Sequence, residues 1–462
     1  GMKRLLIGFL VMSKKTLKII AFAASILFLI GAGGYFAFVR TPIHKTSAEP
    51  APIPEPRPTS VFATEIPASL FGLHYFRPGE PWPTVSFSSW RLWDTGTAWA
   101  LINTAEGKYD WTQLDLLLDL ARAHNIDLLY TFGRTPQWAS LRPDEEPGHE
   151  PQFRGGAAPP REMKYWEDFV RAIATHNKKQ GGRIKYWEIW NEWDSPEYWS
   201  GDTATMVTMA QHAYRIIKSI DPNALVLTPD ASSEDNVIAD YTNRFLAAGG
   251  GQYVDVITFH GYRWTPGGYR HNPEDINSLV DAIRKVMAVN GQSAKPLWDT
   301  EGGWGQDVTL PDLDEQAAFL ARHYLLHWSK GVERFYWYGW DGYDESNPQN
   351  SWGTLWDPKR GGIQKPGIAY REVYKWLVGA TMTSHCAVQS DGTTWICGLS
   401  RPGGYEAQAI WNTAGNVSIR APSQFRQYRH LDGNRVAIQR GGSVMIGIKP
   451  ILLETETGVL GE

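Results

Sequence analysis

Two glutamates stand out by what precedes them. Glu192 lies in the run Trp187-Glu188-Ile189-Trp190-Asn191-Glu192-Trp193-Asp194, and Glu301 ends Pro296-Leu297-Trp298-Asp299-Thr300-Glu301. Both runs are short and apolar, the pattern of a buried strand that delivers a polar side chain into an aromatic-lined pocket. Two carboxyl groups presented in this way suit the hydrolysis of a glycosidic bond. One protonates the leaving oxygen; the other attacks the sugar or activates a water. Carboxyl groups ~5–5.5 Å apart give a retaining double displacement, and a gap of ~6.5–9.5 Å gives inversion.

The elements that must position this pair follow from the pattern after residue 66, where short apolar runs alternate with longer amphipathic ones. Strands are expected at Leu70–Phe76, Phe87–Trp93, Leu128–Phe132, Ile184–Trp190, Ala224–Thr228, Val254–Phe259, Pro296–Thr300 and Arg334–Tyr338. Helices are expected at Trp111–His124, Tyr165–Asn177, Thr203–Ile220, Asn236–Ala248, Pro273–Val289, Leu313–Ser329 and Ile368–Val378. Such a repeat predicts an α/β fold, a (β/α)8 TIM barrel over residues 66–380. The Pro- and Gly-rich stretch from Arg134 to Pro160 is long for a connection and reads as one wall of a cleft.

In a barrel of this kind functional groups gather at the C-terminal ends of the strands. Those ends carry His74, Arg91, Asp94, Trp138, Asn191, Glu192, His260, Tyr262, Glu301, Trp337 and Trp340. Each has an ordinary structural reading when taken alone. Glu192 reads as a surface carboxylate, Glu301 before Gly302-Gly303 as the start of a loop, His260 as a hydrogen-bonded core histidine, and Arg91 as an ion-pair partner at the barrel mouth. Their joint occurrence at strand ends favours a site. The chain also holds 22 Trp and 20 Tyr. Any single Trp is more readily a packing residue, but the surplus suits a carbohydrate cleft, because flat rings stack on sugar faces.

After Gly379 the helical period stops, and short alternating runs separated by Asp391-Gly392, Pro402-Gly403-Gly404, Asp432-Gly433-Asn434 and Gly441-Gly442 predict a small antiparallel, β-sandwich-like accessory domain over 381–462. Asp391-Gly392 signals a two-residue hairpin that sets Cys386 opposite Cys397, as a disulfide or as two buried thiols; two sulfurs are too few for a metal site.

Residues 1–40 contain an uncharged stretch, Ile19–Val39, of the length a membrane-spanning helix requires. Lys14, Lys15 and Lys18 precede it, which puts the N-terminus in the cytoplasm and the rest of the chain outside. An uncleaved inner-membrane anchor is expected, with a cleaved signal and secretion as the alternative. Residues 41–65, with Pro50, Pro52, Pro54, Pro56 and Pro58, read as an extended tether. The net charge of −4, without a basic stripe in the remaining chain, argues against a nucleic-acid partner.

The runs Trp190-Asn191-Glu192 and Thr300-Glu301 resemble the acid/base and nucleophile signatures of clan A glycoside hydrolases. Phe71-Gly72-Leu73-His74-Tyr75, Trp90-Arg91-Leu92-Trp93-Asp94, Thr135-Pro136-Gln137-Trp138-Ala139 and Thr258-Phe259-His260-Gly261-Tyr262 resemble glycoside hydrolase family 39, with the nearest likeness to bacterial members that cut exopolysaccharides. The resemblance implies Glu192 as acid/base, Glu301 as nucleophile, and Asn191 on the 2-hydroxyl of the sugar, with Arg91, His260 and Tyr262 positioning the nucleophile or the sugar. Trp193-Asp194 departs from the Pro-Asn that β-xylosidases of the family carry there, which speaks against a xylosidase. The expectation is a monomeric retaining β-glycosidase, endo-acting on a bacterial or environmental polysaccharide, with a poly- or oligosaccharide substrate, no cofactor and no metal. A non-catalytic polysaccharide-binding or export accessory protein and a transglycosidase are the alternatives.

Overall fold

Eight of the short apolar runs hydrogen-bond into one parallel sheet in the computed structural model, which describes residues 64–263, 272–455 and 460. They are β1 (Phe71–Leu73), β2 (Ser89–Leu92), β3 (Asp127–Thr131), β4 (Ile184–Glu188), β5 (Leu225–Leu227), β6 (Ile257–His260), β7 (Leu297–Gly302) and β8 (Arg334–Trp337). The order is β5-β4-β3-β2-β1-β8-β7-β6. A parallel bridge from Leu227 to Val256 joins the two edges and completes the (β/α)8 barrel.

The helices are α1 (Trp99–Ile102), α2 (Thr112–Ala123), α3 (Met163–Lys179), α4 (Thr203–Ile220), α5 (Asp235–Ala247), α6 (Ile276–Val289), α7 (Leu313–Ser329) and α8 (Lys365–Leu377). α2 shows why they form where they do: Leu114, Leu117, Leu118 and Ala121 recur at helical spacing and are the buried face. α4 and α7 begin where Asp202 and Asp312 cap them, Asp202 accepting from Thr205 N and Asp312 from Asp314 N and Glu315 N. α7 is buried from Gln316 to Ser329 because the C-terminal domain covers the side that faces away from the barrel, with the Ser329 carbonyl accepting from His385 and its hydroxyl oxygen accepting from Cys386 N–H.

Inside the barrel, Leu129, Leu227, Val256, Trp298 and Tyr336 fill one apolar layer. The Arg334 guanidinium lies in that layer between the rings of Tyr186 (4.4 Å) and Trp298 (4.3 Å), so stacking offsets part of its desolvation. β7 carries one residue more than its neighbours. Asp299 pairs with Phe259 and Phe335, but the next pairs are His260 with Glu301 and Trp337 with Gly302. This bulge re-aims the strand end. Asp299 turns outward to His327 of α7, at 2.7 Å, while Glu301 turns into the barrel.

The C-terminal domain is a six-stranded antiparallel sheet and a two-stranded one. In spatial order the larger contains β11 (Thr381–Val388), β12 (Thr394–Arg401), β13 (Tyr405–Asn412), β18 (Ile451–Glu454), β15 (Gln427–Arg429) and β16 (Arg435–Ala437). β14 (Val417–Arg420) pairs with β17 (Ser443–Ile446), and Val444 and Ile446 share an apolar cluster with Ile410, Phe425, Ile451 and Leu453. Cys386 and Cys397 are joined in a disulfide, which decides between the two expected states. The turn beside them is longer than the two residues expected: β11 ends at Val388 and β12 begins at Thr394, with Asp391 accepting from the N–H groups of Thr393 and Thr394.

Two small elements were not expected, α1 and the hairpin of β9 (Trp356–Asp357) and β10 (Gly362–Ile363). The membrane segment expected at 19–39 lies outside the described residues, as does the tether except for Thr64 and Glu65, the latter bridged to Thr381. Among the described residues no helix is long and apolar enough to cross a membrane.

Candidate active site

Arg91 is the centre of the site. In β2 the side chains alternate, so Ser89 and Arg91 face the barrel axis while Trp90 and Leu92 face outward. Arg91 is fully buried and donates from Nε to Glu188 Oε2 (2.8 Å), from Nη1 to Glu301 Oε2 (2.6 Å) and from Nη2 to Asn191 Oδ1 (2.7 Å), with Asp230 Oδ2 at 3.4 Å. Burial works against its charge, but the surrounding carboxylates Glu188, Glu301 and Asp230 outweigh that and hold it protonated. His74, also buried, accepts from Arg91 Nη1 at Nε2 (3.2 Å) and donates from Nδ1 to Trp337 O (3.2 Å), which is the neutral tautomer. Burial and the Arg91 charge both push its pKa well down, in agreement.

Glu301 accepts Arg91 on one oxygen and the Tyr262 hydroxyl on the other (2.8 Å). Burial pushes its carboxyl up to about 7 against the pull of His260 and Arg91. Glu192 follows β4 in the left-handed backbone region, φ 45°, a conformation that costs a non-glycine residue about 1–3 kcal/mol. Two bonds hold it there: its N–H donates to Asp230 Oδ1 (2.8 Å), and its Oε1 meets His260 Nδ1 (2.9 Å). Burial favours its neutral form, but the His260 bond and charge prevail and draw its pKa down. His260 Nε2 lies 3.0 Å from Asp230 Oδ1. One oxygen of Glu192 and one of Glu301 lie within 4.8 Å of each other, with His260 between.

The structure thus gathers Arg91, His74, Asn191, Glu192, His260, Tyr262 and Glu301 into one hydrogen-bonded cluster. His74 is in it as the support of Arg91 and is closed to a sugar, since it is fully buried. Asp94 lies at the exposed edge, its carboxylate accepting from Tyr338 OH at 2.6 Å. Two aromatic expectations are corrected. Trp337 and Trp340 are packing residues: Trp337 donates to Gly353 O and meets the ring of Trp304 at 4.9 Å, and Trp340, with an exposure of 1 %, stacks towards Trp356. Trp138, half-buried, donates to Asn103 O and packs edge-on against Tyr165. The wide use of Trp is mainly a core property, with Trp90, Trp99, Trp166, Trp187, Trp190, Trp304 and Trp376 all buried. The stretch after β3 folds back on itself through a Ser140–Pro160 bridge and is held to the chain beyond Glu192 by Arg134, whose guanidinium covers Tyr198 at 4.2 Å and donates to Glu197 O.

Glu188, Asp230, Thr131 and Tyr338 were missed as site residues. Glu188 was in view inside the strand motif. Asp230 follows β5 in Thr228-Pro229-Asp230, just beyond the strand end, where functional residues of such a barrel belong. Among the described residues, His and carboxylate groups come within cation-binding range at Glu188/Asp230/His260 and Glu192/His260/Glu301, and Arg91 already supplies the positive charge there. The third group, Asp299/His323/His327, lies behind β7, with Asp299 also accepting from Gly261 N (3.0 Å). A side chain at position 261 would collide with Asp299, so only glycine fits.

No family model and no curated protein matches the chain. Its fold is the (β/α)8 barrel of solved glycoside hydrolases. A family 39 glycoside hydrolase from the gut symbiont Bacteroides cellulosilyticus aligns with a TM-score of 0.64 at 19% identity, covering 84% of this chain and 81% of that one. A family 39 β-xylosidase from Caulobacter crescentus aligns at 0.61 and 19%, over 85% and 97%. A family 30 endoxylanase from Clostridium papyrosolvens aligns at 0.56 and 14%, over 85% and 96%.

Proposed function

We propose that the chain is a retaining β-glycoside hydrolase, endo-acting on a polysaccharide, with Glu301 as nucleophile and Glu192 as acid/base. The observation that carries this reading is that one oxygen of Glu192 and one of Glu301 lie within 4.8 Å of each other, which suits a covalent glycosyl-enzyme better than the wider gap of an inverting reaction. Glu301, ionised by Arg91 and Tyr262, attacks the anomeric carbon while Glu192 protonates the leaving oxygen. Glu192 then takes a proton from the water that cleaves the ester. Arg91 occupies Asn191 Oδ1, so the amide N–H end is the one that meets the sugar 2-hydroxyl. The fold shared with family 39 and family 30 enzymes supports the same class.

The site of action is outside the cytoplasm, on a membrane anchor at 19–39; the Cys386–Cys397 disulfide supports an oxidising compartment. The test is Glu301→Ala, in which turnover falls by several orders of magnitude and azide restores it with inverted product. Glu301→Gln or Glu192→Gln with near wild-type turnover would overturn the assignment. Binding to a glycan panel with no hydrolysis by the wild-type protein would favour the accessory-protein reading, and products lengthened at high acceptor concentration a transglycosidase.

A further inference from the structure

Resting on that reading, one feature of the cluster is unused by the double displacement: Asp230. It is fully buried beyond the end of β5 and faces the side of His260 opposite Glu192. Glu192 Oε1 is hydrogen-bonded to His260 Nδ1 at 2.9 Å, and Asp230 Oδ1 makes an ion-pair contact with His260 Nε2 at 3.0 Å without the alignment of a hydrogen bond. An imidazole held between two carboxylates donates at both nitrogens only as the imidazolium. The charges around it favour such a proton. Four carboxylates, Glu188, Glu192, Asp230 and Glu301, surround two cationic side chains, Arg91 and His260. His74, the other titratable neighbour, is neutral.

We propose that Asp230 is a positioning residue that keeps a proton on His260 for Glu192, so that Asp230, His260 and Glu192 act as a proton relay for the leaving group. In the resting site Glu192 is ionised and His260 carries both protons. When a substrate covers the carboxylates, the Nδ1–H bond breaks and an Oε1–H bond forms, the bonding pair staying on Nδ1. Neutral His260 keeps its Nε2–H against the Asp230 carboxylate. Glu192 then gives the proton to the leaving oxygen as the glycosidic bond breaks. In the second half-reaction the water that attacks the anomeric carbon returns a proton to Glu192, and Nδ1 takes it back, so no co-reactant is consumed. Glu192 is drawn down by His260 against its burial, and His260, despite burial, is held well above an ordinary histidine by Asp230 and Glu301, while burial pushes Asp230 itself up to about 8, so the proton is shared within the Asp230–His260 pair.

Asp230→Asn keeps the shape and an acceptor for Glu192 N–H but removes the charge. Two readouts decide. In protein labelled with 15N-histidine, with His260→Gln to assign the signals, His260 in the wild type keeps its imidazolium well above the pH at which an ordinary histidine loses it and titrates lower in Asp230→Asn; an unmoved titration overturns the relay. With β-xylosides and β-glucosides as probes, Asp230→Asn loses about 100-fold in kcat/KM on unactivated disaccharides and less than about threefold on dinitrophenyl glycosides, whose leaving groups need no proton. Equal losses on both would mean that Asp230 only braces the Glu192 backbone and would also overturn it. Asp230→Glu should restore part of the disaccharide activity. If the wild-type protein cleaves none of these, the hydrolase reading fails on its own Glu301 test, and the titration still decides the relay.

Discussion

Arg91, on β2, donates to Glu301, on β7, at 2.6 Å across the inside of the barrel, and the same guanidinium holds Glu188 at 2.8 Å. One buried cation therefore sets the position of the proposed nucleophile and offsets the charge of the strand beneath the proposed acid/base.

Arg91→Met leaves Glu188 and Glu301 without a counter-charge. Breaking a buried ion pair from one side costs about 3–5 kcal/mol. The variant should melt well below the wild type in a thermal scan, and the protein that remains folded should lose at least about 1,000-fold in kcat/KM. A Tm within a degree of wild type would show that the cluster does not depend on Arg91.

Glu301 carries a pH signature. Its carboxyl is raised from 4.5 to about 7 in the folded chain. The folded state therefore binds this proton more tightly than the unfolded chain does, and the stability this brings is present below about pH 4.5 and lost as pH rises through about 7. Glu301→Gln removes the buried carboxylate, so it should stabilise the protein at pH 8, on the order of 1–3 kcal/mol, and change little at pH 5. Calorimetry at the two pH values checks this, and a loss of stability at pH 8 would contradict it.

Activity should follow the same group. A nucleophile must be ionised, so kcat/KM falls as pH drops below about 7. The Tyr262 hydroxyl favours the ionised form at 2.8 Å. Tyr262→Phe should thus move the acid limb of the profile to higher pH, whereas a limb that stays in place would separate Tyr262 from the titration.

Trp340→Ala tests the packing assignment. Removing a buried Trp costs about 3–5 kcal/mol. The melting temperature should fall, with KM for a soluble oligosaccharide changed less than about threefold. A large rise in KM at unchanged stability would return Trp340 to the sugar site.

Reduction of Cys386–Cys397 should lower stability by about 3 kcal/mol, as expected for closing a loop of this size. Turnover below the melting transition should persist, because the bond lies in β11 and β12, outside the cluster. Thermal scans and assays with and without reductant check both parts.

The strands, helices and pair of glutamates were readable because their signals are local. α4 and α7 lie where periodicity and an aspartate cap place them, at Thr203–Ile220 and Leu313–Ser329. α1 and the β9–β10 hairpin are too short to show a period. Asp230 was not readable as a partner, since its role exists only where the end of β5 comes beside His260. The burial of Trp337 and Trp340 was also hidden, because aromatic content does not say which face of a strand or loop is covered.

The amino-acid order alone determined that eight strands alternate with helices and that a glutamate lies at the end of the fourth and seventh. It could not determine where Glu301 points. Side chains alternate along a strand, so Asp299 and Glu301 would share one face of an unbroken β7. Pairing with β6 and β8 inserts the extra residue between them, which sends Asp299 outward to His327 and Glu301 inward to Arg91. That choice belongs to the tertiary structure, because a bulge is a mismatch between paired strands and exists only once β7 is bonded to β6 and β8.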